Sequence, residues 1–470
     1  MSDEDLELAF NGLDGETGAP LVPELDAEAV AKALRGEKLD AADHARIAAA
    51  LEGDRKDTLG TAEGVDDDDL AEAGWAVVFP AGGGAETAAR RKRLKDLLAL
   101  REDQAGEHYR EYTYEPGWGA HEFLTKNKTG YDLANPSGGK VPYYVLLVGS
   151  PEEIPFYFQS QLDRMYAVGR LHFDEPEAYA RYADAVEKAE SSAVSRKKRA
   201  LFWGTKNKAD KSTALSHRYL AEPLAKETER AFGDWSVERA LGDDATKQAL
   251  LDATVDAPAL LFTASHGVGF ASGHARQARE QGALVCQDWP GPVLAAGQPI
   301  TPAMLFAASD LAEANVAGAM AFLFACYGMG TPSRDTFAER VKAAATIAPS
   351  PFLSALPMAL LGHAKGSALA VIAHVDRAWS TSFKWGGNRD QHEAIRSVVH
   401  ALMKRRRVGA AMEYMGQRCM QLETAYKDER DAVDHGRDPR PEVEASLALG
   451  SKDAFRYALL GDPAVKLALR

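Results

Sequence analysis

Three short, almost purely apolar runs in the second half of the chain constrain its fold most. They are "ALLFTA" at residues 259–264, "AMAFLFA" at 319–325 and "SALAVIAHVD" at 367–376. An uninterrupted apolar run of this length is typical of a central strand in a parallel sheet, because helices cover both faces of such a strand. Helical patterns separate these runs, and strands alternate with helices in the first half as well. We therefore predict an α/β fold with a mostly parallel sheet that is covered by helices on both faces.

Two of these runs end on residues that can perform chemistry. His266 follows the first run in "TASHGVG", and Cys326 follows the second in "FACYGMG". In open parallel sheets, ligands bind beyond the carboxyl ends of the strands. We therefore expect His266 and Cys326 to meet at one edge of the sheet.

A cysteine and a histidine at such an edge suit nucleophilic catalysis. The cysteine needs a neighbouring base, and the oxyanion formed on a carbonyl substrate needs hydrogen-bond donors. We assign those donors to the backbone N–H groups of Gly267 and Cys326, because glycine leaves the backbone unhindered. The structural alternative is an inert buried thiol and a histidine in a turn.

Composition and charge limit the classes of protein to which the chain can belong. It has 470 residues, which predicts two or three domains, and no apolar run is long enough for a membrane span. Residues 1–72 carry 21 acidic and 6 basic side chains, so the net charge of −14 comes from this segment. The near-neutral remainder gives no support for nucleic-acid binding. Three cysteines make no disulfide framework, and with no secretory signal pattern at the start we expect a cytoplasmic protein.

The pattern of elements predicts three regions. Residues 1–72 form an acidic, partly disordered and partly helical N-terminal region, with two Ala-rich helical patterns between residues 26 and 54. The acidic run at residues 66–69 is expected to be a linker, either a solvated spacer or a partner-binding segment. Residues 73–195 form a smaller α/β subdomain without His266 and Cys326, and residues 196–470 form the subdomain that carries them. Residues 302–316, "PAMLFAASDLAEANV", are predicted to be helical.

Several segments resemble the caspase-like cysteine peptidases of clan CD, which have the histidine before the cysteine. The gingipain and bacterial CHAT branches are the most similar. Beside the two boxes already quoted, the resemblance is carried by "VPYYVLLVGSPEEIPF", "YAVGRLHFDEPEAYARYADAVEKAE", "SALAVIAHVDRAWSTSFKWGG" and "YALLGDPAVKL". These segments occur in the family's order and span roughly residues 74–470.

The resemblance implies a cysteine endopeptidase that hydrolyses protein or peptide substrates through a thioester, without a cofactor or metal. Cys326 is then the nucleophile, His266 the general base and acid, and Trp379 a wall of the S1 pocket. Asp376 is either a substrate contact in that pocket or a helix cap. The helix start "STALSHRYLAE" has no acid where the arginine-specific relatives place one, so we expect an uncharged apolar P1 residue such as Leu or Met. An Arg or Lys preference would need Asp376.

Because uncontrolled proteolysis in the cytoplasm would be harmful, we also expect the activity to be controlled by a partner, a ligand or processing. Regulated bacterial relatives suggest a cell-death or antiphage role by analogy. The alternative is a catalytically silent scaffold that docks through its acidic N-terminal region. Cys286 is expected to be buried and inert. His363, His374, His392 and His400 lack a metal-ligand spacing and are expected to be structural. The basic runs at residues 195–199 and 404–407 are expected to be solvated faces, and the first is also a candidate processing site.

Overall fold

A computed structural model describes residues 60–294, 298–335, 346–385 and 389–470, together with two short strands near the start. The chain divides into two compact units, residues 1–58 and 59–470. In the first unit, Glu7–Leu8 pairs antiparallel with Leu25–Asp26. The two Ala-rich helical patterns fall outside the described residues.

Ten strands of the second unit form one sheet, in the order β2-β1-β3-β4-β10-β9-β8-β7-β5-β6. The strands are β1 (Trp75–Pro80), β2 (Tyr109–Tyr114), β3 (Tyr144–Val148), β4 (Ala167–Leu171), β5 (Arg199–Gly204), β6 (Ser236–Leu241), β7 (Leu260–Ala264), β8 (Met320–Phe324), β9 (Ala370–His374) and β10 (Tyr457–Gly461). Short antiparallel pairs join Leu284–Val285 to Leu305–Phe306, Gly330–Thr331 to Phe352–Leu353, and Lys384–Trp385 to Arg389–Asp390.

The sheet consists of two parallel blocks of opposite direction. All neighbouring strands pair parallel except β9 and β10, which pair antiparallel. The predicted mostly parallel α/β sheet is therefore confirmed. Its direction reverses where β10, the last strand of the chain, joins the first four strands to the block that carries His266 and Cys326. The predicted boundary near residue 195 stays a prediction, because both halves share this sheet.

Helices flank the sheet. They are α1 (Leu70–Ala73), α2 (Gly84–Arg93), α3 (Lys95–Ala105), α4 (Ala120–Lys126), α5 (Phe156–Leu162), α6 (Pro176–Glu190), α7 (Lys211–Ser216), α8 (Glu222–Ala231), α9 (Lys247–Val255), α10 (Gln277–Glu280), α11 (Ala355–Leu361), α12 (Glu393–Met403), α13 (Val408–Ala411), α14 (Glu413–Asp434) and α15 (Pro441–Ala454). A π-helical turn, His217–Ala221, joins α7 to α8. Short 3₁₀ helices occupy Gly106–His108, Ser137–Gly139, Gly242–Asp244, Pro302–Met304, Ala308–Leu311 and Ser380–Ser382.

The predicted helix at residues 302–316 is wrong. The segment consists of two 3₁₀ turns on either side of the strand Leu305–Phe306. That strand pairs antiparallel with Leu284–Val285, and all four residues are buried. Pairing with a distant segment therefore overrides the local helical preference, which is weak by comparison.

Three phenylalanines align the strands that carry the candidate site. Phe202, Phe262 and Phe322 are register partners on β5, β7 and β8. Their ring centroids are 5.7 and 5.4 Å apart, within the range of favourable aromatic pairs. A slip of one residue would turn these side chains to the other face of the sheet. The packing of these three rings therefore helps to fix the register of β7 and β8, so that the two strands end side by side.

The Gly-Asp-Pro segment near the end of the chain has a structural role. The Asp462 carboxylate is fully buried and accepts hydrogen bonds from Arg101 Nε at 2.7 Å and Trp75 Nε1 at 3.0 Å. The Asp462 backbone N–H donates to the Tyr182 hydroxyl at 2.6 Å. This cluster joins β10 to β1, α3 and α6, so it links the chain end to the first half of the sheet.

Arg170 explains two other segments on which the family resemblance rests. It lies on β4, is fully buried, and donates to the carbonyl oxygens of Gly149 and Ile154 and to Gln159 Oε1, at 2.6–2.8 Å. Burial lowers the pKa of Arg170 to about 9. The "VGR" strand and the "VGSPEEIP" loop therefore depend on each other, because this arginine supplies the donors for the loop carbonyls.

The acidic run at residues 66–69 belongs to the second unit and contacts other parts of it. Asp69 caps α1 by accepting from the Ala71 backbone N–H at 2.9 Å. Asp67 pairs with Arg406, and Asp68 pairs with Lys466 at 2.5 Å. The acidic run and the basic run at residues 404–407 therefore contact each other. The run is not a free spacer, although Asp66, Asp68 and Asp69 remain exposed to solvent.

Candidate active site

His266 and Cys326 lie at one edge of the sheet. The strands β5, β7, β8 and β9 are parallel, so their carboxyl ends meet there. Ala264 on β7 is the register partner of Phe324 on β8, and each candidate residue lies two positions beyond this pair. Both side chains line one cavity of about 430 Å³. The expected meeting of the two residues is present in the structure.

Gly267 lies directly against the backbone of Cys326. A Cβ atom at position 267 would lie 1.8 Å from the Cys326 carbonyl oxygen and 3.1 Å from its backbone nitrogen. Real Cβ contacts are never this short, so only glycine fits here. The two residues assigned to the oxyanion hole are therefore close neighbours, while their role in catalysis stays a prediction.

Asp210 is the functional residue that the sequence analysis missed. His266 Nε2 lies 2.8 Å from Asp210 Oδ2. A carboxylate accepts hydrogen bonds, so Nε2 carries a proton in this arrangement, and Nδ1 is the ring nitrogen that can accept another. Asp210 thus selects the tautomer in which His266 can act as a base.

The Asp210 carboxylate also caps α7. It accepts hydrogen bonds from the Thr213 hydroxyl at 2.6 Å and the Thr213 backbone N–H at 3.2 Å. Burial by itself would raise the pKa of Asp210, but the hydrogen bonds from His266 and Thr213 outweigh it and hold this pKa well below its usual value. The carboxylate therefore stays ionised and remains an acceptor for the proton on His266 Nε2. An aspartate just before a helical run is the usual N-cap signal, and it could have indicated Asp210.

The thiol of Cys326 is protonated at rest. Burial raises its pKa to about 11, and the charges of Asp376 and Asp453 add to the increase. Its Sγ atom lies 3.7 Å from the carbonyl oxygen of Ala378, as a weak donor would. Because the thiolate is the nucleophilic form, this cysteine needs a base when it attacks.

The cavity beside the two residues is apolar on one side and carries hydroxyl groups and cations elsewhere. Trp379, predicted to be a pocket wall, lines it together with Leu215, Phe324, Ala378 and Phe383. The other described lining residues are Lys211, Ser212, Thr213, Ser216, Ser265, Ser380 and Arg377. Arg377 is paired with Asp335 at 2.9 Å. Among the described lining residues there is no acid.

Asp376 does not line this cavity in the part of the chain that the structure describes. Its side chain is buried, and its backbone adopts a left-handed conformation with φ of 72°. The Asp376 carbonyl accepts from the Tyr327 backbone N–H at 2.5 Å, and Tyr327 is also left-handed, with φ of 56°. The 3₁₀ helix that follows is capped by Trp379, so Asp376 is not its cap. A left-handed conformation is strained at residues other than glycine and persists only where neighbouring contacts hold it. In this structure the hydrogen bond from Tyr327 to Asp376 therefore stabilises the turn that carries Cys326.

Among the described residues, neither the other two cysteines nor the four histidines singled out in the sequence line the cavity at this edge. Cys286 and Cys419 are buried, and burial raises the pKa of each to about 12. The four histidines singled out in the sequence each contact a different partner: His363 the Leu311 carbonyl, His374 Asp453, His392 Glu227 and His400 the Thr228 hydroxyl. None of the helices described here is long and apolar enough to cross a membrane.

Comparison with known proteins identifies the family. The model of peptidase family C25 matches residues 126–468, almost three quarters of the chain. The chain is similar to the crystal structure of gingipain R, described as an Arg-specific cysteine proteinase, with 13% identity and a TM-score of 0.49 over 87% of this chain and 80% of that one. It is also similar to a complex of the pro- and mature domains of RgpB from Porphyromonas gingivalis, with 14% identity and a TM-score of 0.46 over 84% and 80%.

No curated protein matches the chain. The family match covers both strands that end at His266 and Cys326, and the last strand of the sheet. The chain belongs to peptidase family C25 and is a cysteine-type endopeptidase.

Proposed function

We propose that this endopeptidase cleaves protein substrates with Cys326 as the nucleophile and His266 as the general base and acid. One observation carries the proposal: His266 and Cys326 line the same cavity, with His266 Nε2 held by Asp210. This orientation leaves Nδ1 to take the thiol proton. The dyad predicted from the sequence thereby gains an orienting carboxylate.

The reaction follows from these protonation states. His266 removes the Cys326 proton as sulfur attacks the scissile carbonyl, and the Asp210 carboxylate stabilises the imidazolium that forms. The oxyanion accepts hydrogen bonds from the backbone N–H groups of Gly267 and Cys326. His266 then protonates the leaving amine, which leaves a thioester on Cys326. Water, deprotonated by His266, hydrolyses this thioester and restores the thiol.

The cavity supports an uncharged apolar P1 residue. Its described lining combines five apolar side chains with hydroxyl groups and two cations. This described lining contains no carboxylate that could pair with Arg or Lys. A hydrophobic pocket discriminates by about 1–3 kcal/mol per methylene, so we expect a broad preference that includes Leu and Met. Proteomic profiling of cleavage products by mass spectrometry tests this. A sharp Arg or Lys preference that disappears in Asp376→Asn would contradict it.

The catalytic assignment is tested by substitution and by labelling. Cys326→Ala should abolish hydrolysis of a peptide library while the circular dichroism spectrum stays unchanged. In the parent protein, Cys326 should react with a peptidyl chloromethyl ketone much faster than the buried Cys286 and Cys419. Full activity of Cys326→Ala would show that another residue is the nucleophile. Equal labelling of all three thiols would favour the silent scaffold.

We also propose that the activity is gated in the cytoplasm by a partner, a ligand or processing, in a cell-death or defence role. The support is the strongly acidic segment at the start of the chain, most of which forms a unit of its own, residues 1–58. A variant that lacks residues 1–58 keeps the acidic run at residues 66–69 and α1, so it tests the segment without damaging the enzyme. Unchanged activity and unchanged partner capture in this variant would make residues 1–58 a passive tail.

A further inference from the structure

One wall of the cavity is a short loop, residues 379–383, which we call the wall loop. Trp379, Ser380 and Phe383 face the cavity, and the loop contains a single 3₁₀ turn, Ser380–Ser382. Two backbone hydrogen bonds lie within it, from Ser382 to Trp379 and from Phe383 to Ser380. Such a short segment depends on outside contacts for a defined shape.

Asp453 supplies two of these contacts. It lies in the last turn of α15, and its side chain is 1% exposed. Its Oδ1 atom accepts the Trp379 backbone N–H at 2.9 Å, and its Oδ2 atom accepts the Ser382 hydroxyl. His374 Nε2, at the end of β9, lies 3.2 Å from Oδ1. All three of these partners belong to the strand end and the wall loop, and none belongs to the helix that carries Asp453.

A second residue of the same helical hairpin holds the middle of the loop. Arg418 on α14 donates to the Thr381 carbonyl at 2.7 Å and to Gln391 Oε1 at 3.2 Å. The two helices pack on each other through a separate apolar cluster that includes Cys419, Leu422 and Leu447. Both helices of the α14–α15 hairpin therefore hold the wall loop in place by hydrogen bonds.

We infer that Asp453 is a positioning residue that determines P1 selectivity, because its hydrogen bonds hold the wall loop in place. A buried carboxylate is costly to desolvate, and here that cost is offset by donors from the loop it holds. The inference rests on the proposed role of the cavity as the S1 pocket. It adds that a helical hairpin outside the sheet determines the shape of this pocket.

The test compares how fast Cys326 is alkylated by three reagents. Iodoacetamide needs no pocket, whereas peptidyl chloromethyl ketones with Ala or Leu at P1 report how the pocket is filled. Asp453→Asn keeps the size but removes the charge and replaces one accepting oxygen by an amide N–H₂, which weakens the hold on the Trp379 N–H and the Ser382 hydroxyl. We expect the Leu-to-Ala rate ratio to fall by about 10-fold, whereas the iodoacetamide rate should stay equal or rise, because the charge of Asp453 no longer raises the Cys326 pKa.

Two further variants keep the test decisive. Ser382→Ala removes the hydrogen bond between the Ser382 hydroxyl and Asp453 by a change in the loop instead of the helix. It therefore tests the same contact if Asp453→Asn fails to fold. We expect Ser382→Ala to lower the Leu-to-Ala rate ratio as well. Glu429→Gln is the matched control, because Glu429 pairs with Arg437 and Arg440 in the same hairpin, away from the loop. It should leave both rates unchanged.

The outcomes separate this inference from the proposed function. An unchanged Leu-to-Ala ratio in Asp453→Asn and Ser382→Ala would overturn the positioning role, and so would an equal loss with all three reagents. If the parent protein itself shows no preference for the peptidyl reagents over iodoacetamide, the proposed S1 cavity fails instead.

Discussion

At the scale of single residues, Asp210 performs two tasks with one carboxylate, since it caps α7 and orients His266. We expect Asp210→Asn to lower kcat/KM for peptide hydrolysis by on the order of 100-fold or more, because an amide no longer selects the reactive tautomer or stabilises the imidazolium. Steady-state kinetics at neutral pH measure this. The exposed Asp243→Asn serves as the control, and equal rates for both variants would contradict the assignment.

The same residue predicts a pH dependence of stability. The folded-state pKa of Asp210 is below its ordinary value of 3.8, so on acidification the unfolded chain binds the proton first. The stability that this carboxylate contributes is thus full above pH 3.8 and is lost as the pH falls below it. Urea denaturation should show that the gap in unfolding free energy between the parent and Asp210→Asn narrows from pH 5 to pH 3. A gap that stays constant or widens would refute this.

At the scale of elements, the ends of β7 and β8 lie so close that position 267 has no room for a side chain. Gly267→Ala would place its Cβ on the Cys326 carbonyl, so the turn or the nucleophile must move. We expect hydrolysis to fall by about 100-fold or more, because a displaced oxyanion donor costs that much. Gly233→Ala is the matched control, since a Cβ there meets no atom within 4 Å. Similar activities for the two alanine variants would show that the contact is unimportant.

At the scale of the whole molecule, the cluster around Asp462 holds the two halves of the sheet together at β10. Asp462→Ala removes the buried acceptor of Arg101 and Trp75 and leaves the buried Arg101 charge with Glu190 as its ion-pair partner. It should therefore lower the free energy of unfolding by about 3–5 kcal/mol. The exposed Asp184, paired with Lys188 one helical turn away, provides the comparison, and Asp184→Ala should cost less than about 1 kcal/mol. Denaturant titrations measure both. A loss of similar size in the two variants would contradict the role given to Asp462.

Local patterns by themselves determined the central strands and the positions of His266 and Cys326. An apolar run needs burial on both faces, and a parallel arrangement brings the carboxyl ends to one edge, so these features follow from short stretches of sequence. The edge strands β2 and β6 escaped notice because "YREYTY" and "SVERAL" are polar and remain partly exposed.

Long-range pairing decided the rest. Four features each join segments that are 20 or more residues apart: the reversal between β9 and β10, the strand at residues 305–306, the Asp210–His266 contact and the support of Trp379 by Asp453. No local periodicity encodes which distant partner a residue meets, because that choice depends on the free energy of the complete packed sheet. The sequence therefore determined which residues could react, and only the tertiary structure determined which carboxylates orient them and shape their pocket.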